Sequence, residues 1–119
     1  MCSGRMMQKP LPTKSYQFAV EIVHIVRELQ GRREYVLSKQ LLSSGTSIGA
    51  NIEEATQAQS KPDFISKLSI ALKEAHETRY WLRLIVDAKL TSRTNIDPLL
   101  SLLQEVIRML VASLKTARK

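Results

Sequence analysis

Apolar residues in this chain recur at alternating steps of three and four, and short polar connections divide them into four stripes. Phe18, Ile22, Ile25, Val26 and Leu29 make the first stripe; their spacing predicts a helix over residues 14–30. Pro10 and Pro12 discourage helix before them, so residues 1–12 read as a flexible tail, with Thr13 or Ser15 as the cap. Gly31 supplies the stop, since glycine takes left-handed backbone angles without strain. Beyond the charged connection at residues 32–34, Leu41, Gly45, Ile48, Ile52 and Ala55 keep a four-three rhythm, the spacing of a bundle seam. Serine, glycine and asparagine are poor helix formers, and residues 43–51 would pass for a loop on composition. The seam continues through them, which predicts one helix over residues 35–59.

Ser60 or Lys61 caps the third helix, with Pro62 at a tolerated first position and Asp63 at the positive pole. Phe64, Leu68, Ala71, Ala75, Thr78, Leu82 and Ile85 form its stripe across residues 62–89, and Ile65, Leu72, Leu84 and Val86 widen it. A helix apolar on more than one face needs a second covering partner, in the bundle or in an oligomer. Asp97 followed by Pro98 reads as a helix start, and Leu99, Leu103, Val106, Leu110 and Leu114 carry the stripe over residues 98–116. Four helices joined by short connections make antiparallel neighbours the natural arrangement. The expected fold is all-α: an antiparallel up-down-up-down four-helix bundle over residues 13–119.

Composition supports the class. Aromatic residues are 5% of the 119, and four glycines and four prolines are too few turn formers for a sheet-rich domain. The formal charge of +7, from 18 Lys and Arg against 11 Asp and Glu, attracts polyanions, of which nucleic acid is the commonest in a cell. The cations are spread along the chain rather than gathered in one run. A lone cysteine, Cys2, gives neither a disulfide framework nor metal-ligand spacing. No apolar run approaches the ~20 residues of a membrane span, and the N-terminal segment has no signal-peptide core. The expectation is a cytoplasmic, non-enzymatic protein with no cofactor.

Several residues carry candidate chemistry. Ser47, Asn51 and Glu54 share one face of the second helix, and Glu74, Glu77 and Trp81 share one face of the third. If these faces meet, Asn51 and Glu77 pair in a polar layer that sets register, because mispairing would strand buried polar groups. Glu21 and His24 have the Glu-x-x-His spacing of di-iron bundles, but Lys73 precedes His76 where a second pair would need a carboxylate, so a metal centre is not expected. Tyr80 and Trp81, beside Arg79 and Arg83, either bury ring area in the bundle or between subunits, or stack RNA bases. Arg27, Arg32, Arg33 and Lys39 surround the first turn and make the better phosphate patch.

Two stretches carry a resemblance. Residues 43–55, SSGTSIGANIEEA, match the pattern S-I-x-A-N-I-x-E-[GA] through Ser47, Ile48, Ala50, Asn51, Ile52, Glu54 and Ala55. Ser60, Asp63 and Phe64 match S-x-x-D-F, and residues 77–82 match E-T-x-Y-W-L. Over residues 14–115 the chain resembles the bacterial four-helix-bundle family named after the 23S ribosomal RNA intervening-sequence protein. The resemblance implies a four-helix bundle that assembles as a ring-like homopentamer, and it supplies no catalytic residues. A related branch serves diversity-generating retroelements, where the accessory bundle binds reverse transcriptase and RNA. The functional expectation is therefore a self-associating bundle that binds structured RNA, with a reverse-transcriptase accessory adaptor as the alternative.

Overall fold

The computed structural model describes residues 7–119, which form four helices: α1 (Leu11–Gly31), α2 (Tyr35–Ala55), α3 (Lys61–Asp87) and α4 (Arg93–Ala117). They pack as an elongated body of 45 × 21 × 18 Å. Each helix contacts the next and α4 returns to α1, so α1 and α3 lie on one diagonal and α2 and α4 on the other. The cross-links run in antiparallel sense. Ser44 meets Thr78 while Glu54 meets Lys67; on α4, Ser113 meets Gln8 and Glu105 meets Lys14, and just before α4 Thr91 meets Glu28. This is the expected up-down-up-down bundle.

The stripes read from sequence all point inward. Phe18, Ile22 and Leu29 of α1, Leu41, Ile48 and Ile52 of α2, Phe64, Leu68, Leu82 and Ile85 of α3, and Leu103, Val106 and Leu110 of α4 are buried in one core. Burial of such side chains contributes about 1.5–3 kcal/mol each, which outweighs the poor helix propensity of residues 43–51.

The ends of the helices depart from expectation. Helix α1 begins at Leu11, three residues early, because Leu11 is fully buried and Pro12 sits in a first turn that needs no amide donor. Met7 is buried too, and the Gln8 amide donates to Ser113 Oγ at 3.1 Å, so the segment before α1 is tied to α4 while Gln8, Lys9 and Pro10 stay exposed; residues 1–6 of the expected tail lie outside the described residues. Neither Thr13 nor Ser15 caps the helix; Ser15 Oγ donates to the Pro12 carbonyl at 3.1 Å. Helix α2 stops at Ala55, four residues short, because Ala58 turns into the core and Ser60 adopts extended backbone to cap α3 through the Asp63 amide. Helix α4 starts at Arg93, not at Pro98: Ser92 caps it by accepting from the Asn95 amide, and burial of Ile96 pulls the added turn inward. Pro98 then lies inside the helix.

Gly31 does not supply the left-handed stop. That conformation falls on Arg33 (φ 64°) and, at the end of α3, on Lys89 (φ 62°). Both ends close in the same way. The amides of Arg33 and Glu34 donate to the carbonyls of Gln30 and Leu29, and those of Lys89 and Leu90 to the carbonyls of Val86 and Ile85. This paired closure wants glycine at its left-handed position. A side chain there costs about 1 kcal/mol or more relative to glycine.

Candidate functional site

The motif at residues 43–55 is helical throughout and presents two different flanks. On one, Gly45 and Gly49 face α1. A methyl group added at Gly45 would stand 2.9 Å from both Cγ1 and Cγ2 of Ile22, so the missing side chain is what lets the helices approach. At Gly49 the same methyl would lie 3.4 Å from the Ser15 carbonyl oxygen, in ordinary contact. On the other flank, the hydroxyls of Ser44 and Thr78 are hydrogen-bonded at 3.0 Å in the buried seam with α3. Thr78 also donates to the Glu74 carbonyl one turn back, at 2.7 Å.

The expected polar layer differs from this arrangement. Asn51 Nδ2 donates to the carbonyl and hydroxyl of Ser47 within α2, at 2.8 and 3.1 Å. Glu77 accepts from Trp81 Nε1 at 3.1 Å within α3, and Glu54 pairs with Lys67 at 3.0 Å. Asn51 and Glu77 are thus not partners. Ser47, Asn51, Glu54 and Glu77 flank the seam at the half-buried or exposed margin, and the buried bond belongs to Ser44 and Thr78, one helical step inward. The sequence signal for Thr78 was its place within an otherwise apolar stripe. Two of the charged groups on this flank are shifted: the hydrogen bond to Glu54 pushes the Lys67 ammonium up, and burial, then the nearby Glu77 charge, pushes the Glu74 carboxyl up.

The cations divide in the same uneven way. Arg79 bonds to His76 Nδ1 at 3.0 Å, beside Glu74 and Glu77, and Tyr80 and Trp81 stack edge-to-face at 5.1 Å. The Arg32 guanidinium donates to the Leu90 carbonyl and joins the α1–α2 turn to the α3–α4 turn, so one of its N–H groups serves as a structural clamp. Around that clamp Glu28 accepts from Thr91 Oγ1 at 2.8 Å and from Asn95 Nδ2 at 3.5 Å. Arg27, Arg33, Lys39, Arg83 and Lys89 are exposed and join no ion pair among the described residues. Glu21 and His24 meet at 3.8 Å on the exposed side of α1. Among the described residues no cluster of three or more His, Cys, Asp or Glu is placed to hold a metal, and no helix is long and apolar enough to cross a membrane. Cys2 lies outside the described residues.

No curated protein sequence matches the chain. The crystal structure of a protein of unknown function from the S23 ribosomal protein family of Bacteroides thetaiotaomicron VPI-5482 is 47% identical, with a TM-score of 0.86 over 88% of this chain and 98% of that one. The family model of the 23S rRNA-intervening sequence protein matches residues 11–112. The chain belongs to the 23S rRNA-intervening sequence protein family.

Proposed function

We propose that this protein is a non-enzymatic, self-associating bundle that binds structured RNA through its exposed cations. The observation that carries the reading is unneutralised charge. The chain has a net charge of +7, yet only Lys14, Lys67 and Arg93 among the described lysines and arginines pair with carboxylates. An uncompensated cationic surface is the footprint of polyanion binding, and its affinity comes from counterion release. The family name, an intervening sequence of 23S rRNA, supports an RNA-related setting in the cytoplasm.

Self-association is favoured by apolar surface left outside the core. Tyr16, Val20 and Val23 make an exposed stripe on α1, and Ile70, Tyr80 and Leu84 are exposed on α3. These helices are diagonal in the bundle, so their outer faces point apart, and head-to-tail contact between unlike faces closes rings. A ring repeats the cations and converts weak contacts into avidity. The same stripes favour a second reading, in which a protein such as a reverse transcriptase docks there and shares the RNA. Mass by light scattering and RNA binding by fluorescence anisotropy test the two. The expected result is an oligomer that Val20→Asp with Val23→Asp dissociates, and RNA affinity that falls steeply with salt. A monomer that shows no RNA binding at low salt overturns the reading.

A further inference from the structure

We propose that RNA is held at one end of the bundle, where the α1–α2 and α3–α4 turns meet, with Arg33 and Lys89 on phosphates and Tyr35 stacked on an unpaired base. This rests on the RNA reading above and names its site and the feature of RNA it takes.

The first observation is backbone conformation. Among the described residues Arg33 and Lys89 are the two non-glycine residues with positive φ, and each occupies the equivalent position of an equivalent helix ending. Glycine is the residue that position favours, and a long cation there brings conformational cost with no side-chain hydrogen bond or ion pair among the described residues to offset it. Strain held at two matched points marks a role outside the fold. The second observation is rigidity. The Arg32–Leu90 bond and the Glu28, Thr91 and Asn95 bonds lock the two turns together, so both cations stand on one fixed platform. The same bonds occupy both oxygens of the Glu28 carboxylate. The third observation is Tyr35, the first residue of α2, which is 61% exposed beside Arg33. An exposed ring next to unpaired cations is the combination that reads single-stranded RNA, where base faces are open for stacking. Arg27 and Lys39, one turn away on α1 and α2, extend the cationic surface.

Among the described residues no other region holds cations at positive φ on a clamped pair of turns. The aromatic pair on α3 has Glu74 and Glu77 beside it, and the Trp81 N–H is already bonded to Glu77. At the opposite end, Lys115, Arg118 and Lys119 rim an open groove of about 410 Å³ floored by Leu72, Val111 and Leu114, with no aromatic ring.

The test uses the full chain and two fluorescein-labelled RNAs, a hairpin with an unpaired loop and a blunt duplex of equal length. Wild type is expected to bind the hairpin more tightly. The double variant Arg33→Gly with Lys89→Gly should melt several degrees higher, since glycine suits both positions, yet bind the hairpin at least about tenfold more weakly. Its salt slope should fall by about 1.5, as two phosphate contacts are lost. Tyr35→Ala should erase the preference for the hairpin and Tyr35→Phe should keep it. Lys115→Ser with Lys119→Ser removes the same charge from the other end and should leave affinity within about threefold. If wild type binds and the glycine variant binds equally well, or the Lys115 and Lys119 variant loses as much, the inference fails while the RNA reading stands. If wild type binds neither RNA at low salt, the RNA reading fails and takes the inference with it.

Discussion

Helix α2 meets its two neighbours by opposite means. Toward α1 it removes side chains, and Gly45 gives Ile22 the space its own Cβ would have taken. Toward α3 it keeps small hydroxyls and a carboxylate, and makes the Ser44–Thr78 bond and the Glu54–Lys67 pair. The first flank fixes distance and the second fixes register. A steric fit fails abruptly when one atom is added, because a packed interior has no slack. An exposed polar contact such as Glu54–Lys67 fails gradually, since it exchanges a protein partner for water at a small net difference.

The glycines break this comparison most sharply. Gly45→Ala improves helix propensity by about 1 kcal/mol but forces a methyl against both branches of Ile22, a β-branched side chain with little χ1 freedom. Overpacking of this kind costs about 1–3 kcal/mol, so a net loss of stability is expected in urea denaturation. Adding Ile22→Ala should recover part of that loss, leaving the pair less than additive. Gly49→Ala faces only ordinary contact with Ser15 and should stabilise by up to about 1 kcal/mol. Two glycines four residues apart would then move stability in opposite directions. Shifts of the same sign would show that α1 and α2 are not held at one fixed distance.

This difference also explains what could be read from the sequence. The four-three spacing identified the buried stripes of all four helices, because periodicity reports which face leaves water. The small residues at 43–55 identified a close approach. Which neighbour each flank meets was not legible, since it depends on the rotation of α2 within the bundle. Asn51 and Glu77 looked like partners because they share a face-to-face step, yet each finds a nearer partner one turn away, in Ser47 and Trp81. Helix ends depart from the sequence signals where tertiary burial outweighs them, as at Leu11, Ala58 and Ile96. Propensity places the left-handed residue at Gly31, whereas the chain closes two residues later at Arg33.

The buried bond of the polar flank should respond on a similar scale, and its exposed margin less. Thr78→Val leaves Ser44 without its buried partner, with an expected loss of about 1–2 kcal/mol, the desolvation cost of an unsatisfied hydroxyl. Ser44→Ala combined with Thr78→Val removes both groups and should recover part of it. A double-mutant cycle with no coupling would mean the bond does not help set register. Asn51→Leu should cost under about 1 kcal/mol and leave assembly unchanged, because the Asn51 bonds stay within α2 at a half-buried margin.

The smallest effect asks whether every group on the polar flank helps the fold. Glu74 lies half-buried on α3, with its carboxyl pushed up by burial and by the charge of Glu77. A raised carboxyl favours the protonated form in the folded state, so its stabilising contribution is present below the unfolded value and lost as pH rises through the folded one. At neutral pH the ionised group is therefore a penalty, and Glu74→Gln should raise the melting temperature slightly, the effect being limited by solvent screening. That gain should shrink in acid, where wild type is protonated as well. Glu105 provides the opposite case: the hydrogen bond and charge of Lys14 hold its carboxyl down, so its contribution is present above the unfolded value and is lost as pH falls through the folded one. Glu105→Gln should lower the melting temperature at neutral pH, with the difference vanishing in acid. Melting curves between acid and neutral pH separate the two signs. A Glu74→Gln variant less stable than wild type at neutral pH would show that this carboxylate supports the α2–α3 contact.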